Sequence, residues 1–177
     1  MELTESLVRE YINEATDMLV TYKKFKVPEI VKIEFANVTS YWATIKPVVD
    51  GCNIGWAVKL SRMFERITDA ELFHKRLLSC IVHEMIHTQT NCWNHGKRFQ
   101  YWAQCVNTRF PQITIATSTD GRDFGVDIPS RPVKYHLICN KCGKVHEFRR
   151  MTSYLNYPNK YYMCGSCDAS DFTFKKL

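Results

Sequence analysis

Apolar residues recur at helical spacing in three segments of the first two thirds of the chain. In residues 4–24 they lie three and four positions apart, and Thr4 is available as an N-cap. The capping-box pattern at residues 68–71 opens a second amphipathic segment that runs to about residue 90. A third segment covers residues 96–109. The pattern predicts three helices that each bury one apolar face.

Short stretches between the first two predicted helices have the character of strands. Residues 31–35 alternate between apolar and polar, residues 41–45 form a second candidate, and residues 54–60 form a third. We expect Pro47 and the turn at Asp50-Gly51 to end the second strand. Helices that flank a short β-sheet predict the α+β class.

The pattern changes after the third helix. Residues 111–133 are rich in proline and small polar residues, with an Asp120-Gly121 turn, which indicates a connecting segment with room for one short strand. We therefore expect a first domain at residues 1–130 and a small β-rich module at residues 131–177.

Charge changes at the same place. The chain has a net charge of +6, but residues 1–130 hold 15 Lys and Arg against 15 Asp and Glu. Residues 131–177 hold 9 Lys and Arg against 3 Asp and Glu, which accounts for the whole excess. A local basic excess is typical of a surface that binds polyanions.

Composition is that of an ordinary globular protein, since 45% of its 177 residues are hydrophobic and 24% are charged. No segment approaches the roughly 20 apolar residues of a membrane span, and the polar start lacks the features of a secretory signal. We expect a cytoplasmic protein, associated with the nucleoid or with DNA, that is monomeric and has no membrane partner.

His83, Glu84 and His87 form a His-Glu-x-x-His pattern in the second predicted helix. Helix positions four apart lie on one face, so the two imidazoles can hold one zinc ion. Glu84 is placed to accept a proton from zinc-bound water, whose pKa the metal lowers toward ~7. The pattern predicts a catalytic zinc site; the alternative is two histidines at helical spacing that bind nothing.

Catalytic zinc usually has three protein ligands, and His95 is the candidate for the third. It lies eight residues beyond His87, a rise of about 12 Å in a continuous helix. The chain must therefore reverse within residues 88–94 if His95 is to reach the metal. Glu71 and His74 lie two to three turns upstream on the same helix and are too far away. The alternative is that His95 only begins the third helix.

Two Cys-x-x-Cys pairs near the end of the chain predict a second zinc ion. The pairs are separated by 21 residues and comprise Cys139, Cys142, Cys164 and Cys167. This is close to the spacing of structural zinc sites, and four thiolates leave no open position on the metal. Neighbouring His136 and His146 could replace a cysteine, although the cysteines already complete the set.

The cysteine module also interleaves lysine and arginine with aromatic residues. Cations beside aromatic rings suit single-stranded nucleic acid, because charges contact phosphates and rings stack on bases. The alternative is a small domain whose aromatic residues form its core and whose lysines keep it soluble.

The run from Leu77 to His87, followed by His95, Gly96 and Phe99, resembles the SprT-like (Spartan-related) zinc metallopeptidases. Residues 54–61 resemble the strand that precedes the metal helix in that family. The two cysteine pairs resemble the zinc ribbon that follows the peptidase domain in many members. The resemblance spans about residues 5–177.

The resemblance implies a zincin-like metallopeptidase core followed by a zinc ribbon. It implies zinc ligands at His83, His87 and His95 and a general base at Glu84. It also implies DNA-stimulated cleavage of proteins that are bound or crosslinked to DNA, in DNA repair. The substrate chain is then expected along the strand at residues 54–60, which we take to be an edge strand.

Two other functions are open on the sequence. One is a catalytically inactive, zinc-stabilised module that binds nucleic acid or acts as an adaptor, although a structural site has no need of Glu84. The other is a metallohydrolase that acts on a small amide, which the expected edge strand makes less suitable.

Overall fold

The computed structural model describes residues 1–117, 125–126 and 132–177. The chain forms two compact units, Met1–Ile128 and Pro129–Leu177. Helices are combined with two three-stranded sheets, which confirms the α+β class. The predicted Asp120-Gly121 turn and the expected domain boundary after residue 130 lie outside the described residues.

Three helices of the first unit match the predicted segments, with shifted ends. They are α1 (Glu5–Leu19), α2 (Ala70–His87) and α3 (Lys97–Arg109). The N-cap of α2 is Asp69, whose carboxylate accepts the Leu72 N–H at 2.7 Å. α1 ends well before residue 24, because turn hydrogen bonds such as that from the Tyr22 N–H to the Leu19 carbonyl replace the helical pattern.

The sheet of the first unit has the order β1-β3-β2 and comprises β1 (Ile30–Ala36), β2 (Ala43–Asp50) and β3 (Asn53–Ser61). β1 pairs with β3 in parallel and β2 pairs with it antiparallel. β3 is therefore the central strand, and our expectation of an edge strand at residues 54–60 is wrong. Both sides of its backbone are already hydrogen-bonded, so no substrate chain can pair there.

Pro47 lies within β2 and does not end it, contrary to the prediction. β2 is an edge strand, and its Ile45 N–H hydrogen-bonds to Glu84 on the side away from β3. The nitrogen of Pro47, two residues further on, points to the same free side. A proline there removes no hydrogen bond of the sheet, which is why the strand continues.

The core of the first unit positions α2. Its buried face includes Leu77, Leu78, Ile81, Val82, Met85 and Ile86. These side chains join one cluster with the buried faces of α1, α3 and the sheet. Burial of a side chain of this size stabilises the fold by roughly 1.5–3 kcal/mol. The last turn of α2 is thus anchored in the core on one side, while its other side is not packed into the core.

The second unit is built on a smaller sheet with the order β5-β4-β6. Its strands are β4 (Tyr135–Cys139), β5 (Val145–Phe148) and β6 (Phe172–Lys176), and two one-turn helices are α4 (Ser153–Asn156) and α5 (Pro158–Tyr161). Five buried residues form its core, namely Leu137, Cys139, Leu155, Cys164 and Phe172. Two of the five are cysteines, so the apolar core alone is small.

Within the described part of the chain, we find no helix of the length and apolar character that a bilayer crossing requires.

Candidate metal centres

His83 and His87 lie one turn apart at the end of α2, on the side that the core leaves free. Both side chains are half-buried. Their ring centroids are 4.8 Å apart, so the two imidazoles face a common point. The helix spacing alone produces this arrangement.

A sharp reversal after α2 brings His95 to the same point. Asn91 has a φ of 62°, in the left-handed region that asparagine tolerates better than most residues. Cys92 is fully buried and anchors the turn in the core. Gly96 is the N-cap of α3, so His95 stands immediately before the returning helix. The reversal required by the sequence analysis is therefore present.

The three imidazoles converge through their Nε2 atoms. The Nε2 of His83 lies 3.1 Å from the Nε2 of His87 and 3.1 Å from the Nε2 of His95. Three nitrogens held at about 2.0–2.1 Å from one tetrahedral zinc ion would lie about 3.3 Å apart. The spacing therefore fits a shared metal ion, and the three residues form a group that could hold one.

Backbone contacts orient two of these rings. The Nδ1 of His87 donates to the carbonyl of Cys92 at 2.5 Å, which leaves its Nε2 unprotonated and free to bind a metal. A hydrogen bond with the backbone of Ala116 likewise holds the imidazole of His83. Such contacts are typical of histidines that ligate zinc.

Burial keeps the first two imidazoles neutral. Desolvation, together with the charges of His87 and His95, lowers the pKa of His83 to about 3, against a smaller opposing effect of a backbone hydrogen bond with Ala116. Desolvation likewise lowers the pKa of His87. Neutral imidazole is the form that binds metal, so these two ligands lose no proton on binding at neutral pH.

The ring of Phe99 contacts all three imidazoles. Its ring centroid lies 4.7 Å from that of His83, 4.7 Å from that of His87 and 4.8 Å from that of His95. On the sequence, Phe99 appeared only as part of the motif shared with the resembling family, with no role at the metal site. Its position four residues after His95 placed it on the same helix face, and the fold turns that face toward the end of α2.

Glu84 is buried beside the triad on α2, with only 8% of its surface exposed. Desolvation raises the pKa of its carboxyl group to about 7, partly offset by a hydrogen bond from the Ile45 backbone of β2. One turn earlier, burial and the charge of Glu84 raise the pKa of the Cys80 thiol. A carboxyl group with a pKa near neutrality can both accept and return a proton.

The two alternative ligand candidates, His74 and Glu71, lie away from the three histidines. The Nδ1 of His74 is 3.2 Å from the hydroxyl of Tyr11, and its Nε2 is 3.7 Å from Glu14 of α1. Glu71 is exposed in the first turn of α2. Neither belongs to the histidine group.

The four cysteines of the second unit form the other candidate metal centre. The sulfur atoms of Cys139 and Cys167 lie 3.5 Å apart, and those of Cys142 and Cys164 lie 3.6 Å apart. All four sulfurs lie within 4.8 Å of one another. Thiolates at about 2.3 Å from a tetrahedral zinc ion would lie about 3.8 Å apart, so the geometry fits a closed zinc site.

Each cysteine pair begins a tight turn of the same form. The Gly143 N–H donates to the Cys139 carbonyl at 2.8 Å, and the Asp168 N–H donates to the Cys164 carbonyl at 2.8 Å. Gly143 has a φ of 72° and Asp168 a φ of 56°. The left-handed residue is thus Gly143 in the first turn and Asp168 in the second.

The pKa values of the Cys139 and Cys167 thiols are shifted in opposite directions. Burial acts to raise the pKa of Cys139, but hydrogen bonds from the backbone of Cys142 and Lys141 bring it to about 7. The Ala169 backbone acts to lower the pKa of Cys167, yet burial and its three neighbouring cysteines raise it to about 12. Four thiolates this close repel one another, and a divalent cation relieves that repulsion.

The two histidines near the cysteines are not part of the four-sulfur group, although the side chain of His146 hydrogen-bonds to Cys164. His136 faces Glu147 across the sheet, with 4.0 Å between the Nε2 and the carboxylate. The Nδ1 of His146 lies 3.3 Å from the hydroxyl of Tyr162. The metal group among the described residues of this unit therefore consists of the four cysteines.

The aromatic residues of the second unit divide between core and surface. Phe172 is buried, and Tyr135, Phe148 and Tyr162 pack against the core. The residues with more than half of their surface exposed are Tyr154, Tyr157 and Tyr161. Lys160 lies 5.1 Å from the ring centroid of Tyr161. The core interpretation is thus confirmed for the buried and packed rings, and nucleic-acid binding by the exposed tyrosines stays a prediction.

Comparisons of this chain with protein-family models and with curated proteins found no match in either set.

Proposed function

We propose that this chain is a zinc-dependent peptidase of the SprT-like type. The observation that carries the proposal is the convergence of three Nε2 atoms at 3.1 Å spacing beside a buried carboxyl group with a raised pKa. A purely structural metal site needs neither a solvent-facing side nor an adjacent acid. His95 is exposed, so the triad is open to solvent on that side.

His83, His87 and His95 would hold the ion, and zinc bound there would supply Lewis-acid polarisation of a carbonyl and a lowered pKa for water. Glu84 would take the proton from the attacking water and deliver it to the leaving amine. Its pKa of about 7 in the apolar surroundings suits both transfers. The Ile45 N–H holds the carboxyl group in place while it does so.

An extended peptide substrate would lie along the edge strand β2. β2 contacts α2, pairs with no strand other than β3 in the described part of the chain, and contributes the backbone group that holds Glu84. Pairing with a strand edge recognises the peptide backbone and leaves the substrate sequence free. This feature favours a protein substrate over a small amide.

The basic charge and the exposed tyrosines of the second unit support a DNA-associated substrate. Nine Lys and Arg against three acidic residues provide the charge for phosphates, and Tyr154, Tyr157 and Tyr161 provide exposed rings. We therefore propose proteins bound or crosslinked to DNA as the substrates, with DNA acting as a stimulator.

The test is zinc-dependent cleavage of a DNA-binding protein with and without single-stranded DNA, comparing wild type with Glu84→Gln. We expect cleavage that increases with DNA and disappears in the variant, while both proteins keep two zinc ions. Normal cleavage by Glu84→Gln would disprove the mechanism. Cleavage that does not depend on DNA would support the peptidase activity but would contradict stimulation by DNA. Absence of cleavage with both zinc ions bound would favour the inactive binding module.

A further inference from the structure

A cleft of about 610 Å³ in the first unit lies next to the histidine triad without containing its ligands. It is formed by the segment after α1, the turn after α2 and the start of α3. Its volume falls within the roughly 300–1,000 Å³ that is typical of ligand sites. No ligand was predicted for this surface from the sequence.

The cleft is strongly basic, although the unit that contains it has equal numbers of cationic and acidic residues. Half of its ten lining residues are cationic, namely Lys23, Lys24, Lys26, Lys97 and Arg98. None of the described residues that line it is acidic, and none of the five cations forms an ion pair with a described carboxylate. Single surface lysines are ordinary solvated groups, but five in one concavity create a field that attracts an anionic chain.

One wall of the cleft is aromatic. Tyr101 is 59% exposed, and its ring centroid lies 5.4 Å from that of Trp102. Trp102 is held edge-on by Phe25 at 5.1 Å and by Tyr22 at 6.0 Å. The wall therefore combines a supported indole with an exposed phenol ring, which is the kind of surface on which a base stacks.

Hydrogen bonds join the cleft to the turn that follows α2. The N–H of Lys26 donates to the side-chain oxygen of Gln89 at 3.0 Å, and the side-chain nitrogen of Gln89 donates to the carbonyl of Lys26 at 2.8 Å. Gln89 stands two residues after the metal-site histidine His87, and Lys97 stands two residues after His95. These bonds connect the segment after α1 to the turn that follows α2 and so hold two walls of the cleft together.

We propose that this cleft binds a single-stranded nucleic acid, with phosphates on the five cations and a base against Tyr101 and Trp102. The site is separate from the cysteine module, to which the sequence analysis assigned nucleic-acid binding. Phosphates and base faces are common to DNA and RNA, so both share the chemistry. The inference rests on the cleft and does not depend on peptidase activity.

The experiment measures binding of a fluorescent oligothymidine of about 12 nucleotides to the full, zinc-loaded chain by anisotropy. Lys97→Ala/Arg98→Ala and, on the opposite wall, Lys23→Ala/Lys24→Ala are each expected to raise Kd about tenfold near 0.1 M salt. Each pair should also reduce the slope of log K against log salt by about 1.4, since a single strand loses about 0.7 per phosphate contact. Tyr101→Ala should raise Kd about tenfold without changing the slope.

The matched control is Arg9→Ala/Lys32→Ala, which removes the same charge from exposed residues outside the cleft. It should leave Kd within twofold of wild type. Measured zinc content identifies any variant that has lost a metal site. If one cleft pair loses zinc, the pair on the opposite wall still tests the inference.

Three results would overturn the inference. The first is unchanged binding in both cleft pairs while Lys141→Ala/Lys175→Ala in the cysteine module removes it. The second is equal competition by heparin, which has no bases, together with no effect of Tyr101→Ala. The third is a wild-type chain that binds neither oligothymidine nor oligouridine. Binding of either oligonucleotide that weakens in both cleft pairs supports the cleft, and the preference between the two oligonucleotides shows whether it discriminates DNA from RNA. Binding by Glu84→Gln is expected to match wild type, so failure of the peptidase proposal would be seen separately.

Discussion

At the residue scale, the candidate catalytic site depends on side chains that are neutral because they are buried. Glu84 and His83 both carry pKa values displaced toward the uncharged form, and desolvation is the largest cause for each. Burial therefore prepares one group to exchange a proton and the other to bind a metal. The same displacement makes the stability of the metal-free protein depend on pH.

Glu84 should lower the stability of the metal-free protein as pH rises from about 4.5 to about 7. Its folded pKa of about 7 exceeds the ordinary value of 4.5, so the folded state holds the extra proton in that window. The contribution of Glu84 to the free energy of unfolding should fall there by about 3 kcal/mol, at about 1.4 kcal/mol per pH unit. Denaturant unfolding of wild type and Glu84→Gln across this range checks the effect.

The difference between the stability curves of wild type and Glu84→Gln isolates the contribution of Glu84, because His83 contributes equally to both proteins. His83 has a lowered folded pKa, so its contribution is lost as pH falls below its unfolded value of 6.5. Parallel curves for wild type and Glu84→Gln would show that the Glu84 carboxyl titrates normally.

Phe99 should determine how tightly the triad binds zinc. Phe99→Leu keeps an apolar side chain but removes the ring that contacts all three imidazoles. We expect zinc affinity at this site to fall about tenfold, as is usual for groups that orient metal ligands. Competition with a chromogenic chelator measures the loss. Phe73→Leu, in the same core but without these contacts, is the control and should leave affinity unchanged.

At the element scale, two tight turns shape the cysteine site, and each needs one residue with positive φ. Gly143 meets this need without strain, whereas Asp168 adopts it at a cost of roughly 1 kcal/mol. The two turns have the same hydrogen bond between the cysteine carbonyl and the fourth residue after it. They therefore allow a paired test of backbone strain.

Gly143→Ala should destabilise the zinc-loaded second unit by about 1 kcal/mol, while Asp168→Gly should leave it unchanged or stabilise it slightly. A Cβ at Gly143 meets no atom within 4 Å, so any loss comes from the φ of 72° and not from a clash. Thermal unfolding monitored through the second unit distinguishes the variants. An equal loss in both would mean that the turns are not equivalent.

At the scale of the whole molecule, the two units depend on metal to different degrees. The first unit has a large apolar core drawn from three helices and a sheet. The second has five buried core residues, two of which are cysteines of the candidate zinc site. Domains with so small a core usually need a metal or disulfides to fold.

Removal of zinc should therefore unfold the second unit and leave the first folded. With a strong chelator, amide hydrogens in β4, β5 and β6 should lose protection from exchange, while those of α1 and of α2 before its last turn remain protected. Hydrogen exchange followed by mass spectrometry resolves the two regions. Protection that persists in all six strands would show that the cysteine site is not needed for folding.

The sequence by itself determined the local elements and the ligand candidates. Helical spacing predicted α1, α2 and α3, and the i, i+4 pattern placed His83 and His87 on one face, because both depend on neighbouring residues only. The cysteine spacing likewise predicted a four-sulfur cluster. The zincin-like core, the peptidase activity and the DNA partner stay predictions.

Only the tertiary structure decided what depends on residues far apart in the chain. Strand order made β3 central and left β2 as the edge, so Pro47 is tolerated and the expected substrate strand changes. The reversal at Asn91 set His95 over Phe99, and the return of α3 past the end of α1 created the basic cleft. Such contacts depend on how elements pack, which periodicity along the chain does not encode.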